Sequence, residues 1–153
     1  MQRHSNWATR LHLLVSTSKD VTFDWGHYNC GLFVTRWIRE ATGVDLGAPF
    51  MGKATDEASA EAIFLNGYTG PPAEALGAFA AAIAAANNMP EVLPVTYARR
   101  GDVVWVDNST LENPSIYGAL GVVHPDPRYA ACMSEKGIKR VHMQRWKRAW
   151  RVG

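Results

Sequence analysis

The chain has 153 residues, with 16 Lys and Arg against 14 Asp and Glu for a formal net charge of +2, and it contains two cysteines. That length makes a single domain, residues 1–153, able to bury about two-thirds of the surface its unfolded form exposes without a stapling disulfide or metal. Cys30 and Cys132 are too few for a disulfide framework and lack the paired spacing of a zinc site, which leaves one Cys30–Cys132 bridge as the only covalent option and implies neither a metal nor a cofactor.

The polar stretch 1–10 has no apolar core, so no signal peptide is expected. Trp7, Leu11, Leu14 and Val15 then fall on one face and predict a first helix over 6–17. A second helix is predicted over 30–42, where Cys30, Phe33, Val34, Trp37, Ile38 and Ala41 keep the i, i+3, i+4, i+7, i+8, i+11 spacing of a buried stripe and Gly43 supplies the stop. A third runs over 55–65, with Thr55 as N-cap, Asp56 and Glu57 in the first turn and Asn66-Gly67 beyond its end. Pro71-Pro72 opens an Ala-rich fourth helix with Leu76, Phe79 and Ile83 inward, closing at Asn87-Asn88. Its apolar run, 78–86, is about half a membrane span, so no transmembrane helix is expected. Beyond Pro94 the period becomes strand-like: 103–106, 118–124, 128–134 and 138–143 are short β-type runs punctuated by Asn-Pro, Pro-Asp-Pro and Lys-Gly. Helices followed by an antiparallel meander give an α+β fold, with N-terminal helices packed on a C-terminal sheet.

Within this layout Cys30 stands out, because it sits where the loop Asp24-Trp25-Gly26-His27-Tyr28-Asn29 enters the first turn of the second helix. A helix N-terminus carries partial positive charge and unpaired N–H groups, both of which favour thiolate over thiol. The competing reading is a small buried hydrophobe, the commonest fate of a free cysteine. Trp25, Tyr28 and Trp105 are candidates to line a glycan or peptide cleft, against the alternative that they are core.

Three elements together resemble a known family: Phe23-Asp24-Trp25-Gly26-His27-Tyr28-Asn29-Cys30 leading into a helix, Arg100-Gly101-Asp102-Val103-Val104 as a turn into a strand, and the strand Gly118-Ala119-Leu120-Gly121-Val122-Val123. They are similar to the NlpC-type branch of papain-like cysteine peptidases, and within it to small tail-tip proteins of double-stranded DNA phages and phage-like particles, whose C-terminus commonly reads like Ala149-Trp150-Arg151-Val152. The resemblance spans roughly 23–152. It implies a papain-like fold and a virion component made in the host cytoplasm, contacting other tail-tip or hub proteins and associated with peptidoglycan penetration during DNA delivery. It also implies a nucleophilic Cys30, a histidine from the sheet as base and a third polar residue orienting it.

The chain departs from that pattern. The family's His-x-Gly-hydrophobe strand falls on Ala119-Leu120-Gly121-Val122, which puts Ala119 at the histidine position, and the orienting position falls near Ala131. Asn29 replaces the usual Asp before the cysteine. The substitute bases are His142 on another strand, His124 at the far end of the same strand, about 17 Å from the expected site in regular β geometry, and His27 in the loop before Cys30. Two readings follow: a peptidase-like structural part of a tail with a degenerate site, or an active peptidoglycan amidase or endopeptidase with a rearranged base. Losing both matched partners weighs toward the first.

Past Glu135 the chain carries Lys136, Lys139, Arg140, Arg145, Lys147, Arg148 and Arg151 with no intervening acid. Trp146 and Trp150 among them would suit a nucleic-acid strand, but anchoring of the last segment to the core is the stronger reading. Arg145, Lys147 and Arg148 are the candidate contacts to an acidic partner protein.

Overall fold

The computed structural model describes residues 1–153 and contains four α-helices, α1 (Trp7–Thr17), α2 (Cys30–Thr42), α3 (Glu57–Leu65) and α4 (Ala75–Ala86). Five strands follow, β1 (Val103–Val106), β2 (Ala119–Val123), β3 (Tyr129–Ser134), β4 (Gly137–His142) and β5 (Trp146–Trp150). The strands form one antiparallel sheet in the order β4-β3-β2-β1-β5. The α+β class and the helices-then-strands order match the sequence reading. No helix is long and apolar enough to cross a membrane.

Helix α2 is the centre of the molecule. Asn29 caps it, its side-chain oxygen accepting from the Leu32 N–H at 2.8 Å, and Gly43 closes it with a left-handed φ of 82°. The stripe Phe33, Val34, Trp37, Ile38 and Ala41 is 0–3% exposed and packs with α1, α4 and one face of the sheet. The Trp37 indole N–H donates to the Gly101 carbonyl at 2.7 Å, pinning the helix to the turn before β1.

Two elements differ from the sequence reading. The third helix, expected over 55–65 with Thr55 as its cap, is capped one residue later by Asp56 and begins at Glu57. Asp56 accepts from the Ser59 N–H at 2.8 Å while the Ser59 hydroxyl accepts from the Asp56 N–H, a reciprocal cap that Thr55 is one residue too early to form. The C-terminal segment is also more than an anchor. Trp146–Trp150 is a fifth strand, and it pairs with β1 on the side away from β2, so the chain returns across the sheet and does not end as a simple meander. The β1–β5 register slips between Trp105 and Val106, leaving Lys147 as the extra residue; its ammonium lies 4.5 Å from the centre of the Trp105 ring.

The two ends of the chain meet at Asp102, which is fully buried. Its carboxylate accepts from Arg3 Nη2 at 2.9 Å, the Arg99 N–H at 2.8 Å and the Val152 N–H at 3.3 Å, and Arg151 Nε lies 2.9 Å away as an ion pair. Residue 102, which the sequence offered as half of a family motif, therefore fastens both termini to the start of β1.

Candidate functional site

Cys30 lies at the first residue of α2, and the preceding loop is built to hold it there. Asp24 folds the loop by accepting from the Gly26 N–H at 2.8 Å and the His27 N–H at 3.1 Å, an Asx turn. Asn29 uses both ends of its amide, capping α2 with its oxygen and donating from Nδ2 to the Trp25 carbonyl at 2.8 Å. An aspartate could make only the first of these bonds, which is a structural reason for the amide at this position.

The sulfur rests where β2 and β3 part. Their ladder has two residue pairs, Val122↔Ala131 and Val123↔Ala130, so the 119–121 end of β2 is free of β3. Cys30 is half-buried as a residue, and the nearby backbone N–H groups of Leu120, Gly31 and Cys30 favour its thiolate. All three lower the thiol's pKa, but burial acts the other way and dominates, leaving the Cys30 pKa raised. Cys132 is fully buried, and its pKa is raised first by burial and then by Cys30. Both thiols are free. Gly121 is explained by this crowding, since a Cβ there would sit 2.5 Å from the Cys132 sulfur and 2.8 Å from the Ala131 carbonyl oxygen.

A cavity of about 560 Å³ opens beside Cys30, walled by α2, α3, α4, the start of β2 and the 108–118 loop. Trp25, Asn29, Cys30 and Ala119 all line it. The structure brings Cys30 and Ala119 to one cavity, and the methyl group of Ala119 cannot serve as a base.

None of the three histidines takes its place, since no histidine lines the cavity. His124 is buried with its Nδ1 accepting from the Asp126 N–H at 2.9 Å, and burial, aided by Arg140, lowers its pKa. His142 pairs with Tyr129 across β3 and β4, meets that ring edge to face, and accepts at Nδ1 from the Gln144 N–H at 3.2 Å. His27 is exposed and bound to Asp24.

Of the aromatic candidates only Trp25 lines the cavity. Tyr28 packs beside it against the core under the Arg36 guanidinium, 5.2 Å from the ring centre. Trp105 is 5% exposed, donates to the Tyr117 carbonyl at 2.8 Å and belongs to the core.

The C-terminal cations also read differently in three dimensions. Arg145 pairs with Asp107 at 3.1 Å and bonds the Ser109 hydroxyl, Arg148 pairs with Glu91, and Arg151 pairs with Asp102. Arg145 and Arg148, expected to contact an acidic partner protein, are thus paired within the chain: the segment has no acid of its own, but residues 91–107 supply them, which β5 reaches by returning beside β1. Trp146 and Trp150 are buried, as the anchoring reading requires.

Four glutamates were not singled out by the sequence reading: Glu57, Glu61, Glu112 and Glu135 all line the cavity. The signal available was Glu57 and Glu61 one turn apart on a helix otherwise made of Ala, Ser, Ile, Phe and Leu.

A free thiol at a helix N-terminus, packed against an antiparallel sheet and opening on a largely apolar cavity, defines a thiol-bearing α+β domain whose cavity wall carries no imidazole. Residues 2–152 match the family described as domain of unknown function DUF6950, and the chain belongs to that family. No curated protein matches it.

Proposed function

We propose that this chain is a tail-tip component of a phage or phage-like particle, built on the NlpC-type, papain-like peptidase scaffold, whose thiol site is degenerate. The observation that carries the degenerate reading is that the Cys30 sulfur shares its cavity with Ala119 and with no histidine. A cysteine peptidase needs a base within hydrogen-bond reach of its thiol, and a thiol whose pKa is raised by burial is protonated at neutral pH. The tail assignment is supported by the Trp25-Gly26…Cys30 loop, the Gly101-Asp102 turn and the Ala149-Trp150-Arg151-Val152 ending. In this reading the domain accompanies peptidoglycan penetration as a structural or binding part, alongside other tail-tip or hub proteins.

One observation favours the alternative, an active peptidoglycan amidase or endopeptidase. The backbone N–H groups of Leu120, Gly31 and Cys30 act to lower the thiol's pKa and would favour a thiolate if a base were supplied.

Iodoacetamide labelling at neutral pH separates the two. The degenerate reading expects Cys30 to react no faster than an ordinary free thiol and expects no muropeptide release from purified cell walls. Rapid Cys30 labelling, with muropeptide release lost in Cys30→Ser, would establish the enzyme instead. Ala119→His, if it keeps the native circular dichroism, should accelerate labelling of Cys30, because it places an imidazole on the cavity wall that Cys30 shares. Association with the tail is checked by finding the chain in purified particles; its absence from them would remove that part of the proposal.

A further inference from the structure

The cavity beside Cys30 has a charge pattern that the thiol does not account for. Its walls are mostly apolar, with Phe64 from α3 and Leu76, Phe79 and Ile83 from α4 among them. Every charged side chain lining it is a glutamate, and no Lys, Arg or His does so, although cations outnumber acids in the chain as a whole. Lys136 meets Glu112 at 3.4 Å, whereas Glu57, Glu61 and Glu135 take part in none of the chain's ion pairs.

Glu57 and Glu61 stand one turn apart on α3, where like charges repel. Burial raises the Glu61 pKa and the Glu57 charge raises it further, the mark of a carboxylate pair with no cation nearby. Helix α3 also buries none of its side chains completely, despite Ile63, Phe64 and Leu65. Toward the cavity it thus presents half-buried Ile63, Phe64 and Glu61, with the more exposed Glu57 one turn before.

We propose that this cavity binds a small amphiphilic cation, an organic ammonium ion with an apolar body. The apolar part lies between α2, α4 and the start of β2, and the ammonium meets Glu57 and Glu61 on α3. The volume is that of a site for a small organic molecule. No group of three His, Cys, Asp or Glu side chains is placed to hold a metal ion, so the carboxylates do not form a metal site. A fatty acid of the same shape would set its carboxylate against theirs. The proposal rests on reading the cavity as a ligand site and not as a hydrolytic centre, but it uses no chemistry of the thiol.

Isothermal titration of the full chain with decylammonium, decanol and decanoate, each below its micelle concentration and at low salt, tests it. Decylammonium should saturate one site, decanoate should bind at least about tenfold more weakly, and decanol should fall between. Glu57→Gln with Glu61→Gln changes two side chains that are not core and should collapse the preference for the cation while leaving decanol binding. Ala80→Trp, which fills the cavity, should abolish binding of all three with the circular dichroism unchanged. Equal affinity for the two ions, a preference that survives the double variant, or no saturable binding would each overturn the proposal. Displacement of decylammonium by a lysine-flanked apolar peptide that binds far more tightly would assign the cavity to a protein segment, and so overturn the small-ligand reading too. Titration reads ligand binding and labelling reads thiol reactivity, so either result can fail while the other stands.

Discussion

At the scale of single residues, the side chains that matter most are those whose polar atoms are fixed by the fold. Asp102 shows no exposed surface and holds Arg3, Arg151 and two backbone N–H groups. Removing one partner from a buried ion pair leaves an uncompensated charge, so Asp102→Asn should lower unfolding free energy by about 3 kcal/mol, measured by urea denaturation. His124 sets an acid limit. Its folded pKa is pushed below the ordinary histidine value by burial, so below about pH 6.5 the unfolded chain takes up a proton that the native imidazole resists. Its contribution is present in full above that pH and is lost as pH falls toward the folded pKa, because a proton on Nδ1 also breaks the bond accepted from the Asp126 N–H. His124→Gln should therefore flatten the stability profile between about pH 7 and pH 5; an unchanged slope in denaturation curves would assign the acid sensitivity to another group.

At the scale of elements, packing reverses what helix propensity alone would say. Gly77 lies inside α4, where Gly→Ala ordinarily stabilises a helix by about 1 kcal/mol. Here the added methyl would fall 2.4 Å from Cε3 of Trp105. Trp105 is held by its bond to Tyr117 and by the β1 ladder, so it has little room to retreat. Gly77→Ala should therefore destabilise by about 1–3 kcal/mol, and a rise in melting temperature would show that α4 shifts freely. The stripe of α2 makes the ordinary case: Trp37→Ala or Phe33→Ala removes a side chain that is at most 2% exposed and should cost about 3–5 kcal/mol. Helix α3 is the contrast. Asp56→Ala removes a reciprocal cap worth about 1 kcal/mol, but α3 contributes no fully buried side chain, so the loss should appear as faster amide exchange within α3 more than as a lower global melting temperature.

At the scale of the whole molecule, the sheet is closed by its last strand and the last strand is tied to the first residues. Strand β5 completes the β1 edge, Val152 is fully buried, and Arg3 binds both Asp102 and the Val152 carbonyl. Deleting 146–153 should therefore abolish cooperative unfolding and not merely lower its midpoint. The cations of that strand behave more modestly. Arg145 and Arg148 pair at partly exposed sites, where such pairs are worth at most about 1 kcal/mol. Reversing Arg145, Lys147 and Arg148 to Glu should leave the domain folded with a small drop in stability. A loss of particle incorporation larger than that drop explains would mark this face as a contact to a tail protein.

The sequence by itself determined the four helices to within a residue or two, the thiol's place at a helix N-terminus and four of the five strands, because periodicity is local: the stripe of α2, its Gly43 stop and the β-rich runs are written within a few residues of where they act. It also showed that position 119 carries no imidazole, since Ala119 is legible as an alanine in any conformation. Tertiary structure alone decided what meets what. The partners of the C-terminal cations lie tens of residues earlier in the chain, and Asp102 gathers groups from both termini. The glutamates of the cavity come from α3, the loop before β2 and the β3–β4 turn, and no spacing rule connects them. The balance at Cys30 was likewise decided by packing. A helix N-terminus favours the thiolate, as the sequence indicates, but burial between β2, β3 and Cys132 outweighs it, and burial is a property of neighbours that the local sequence does not contain.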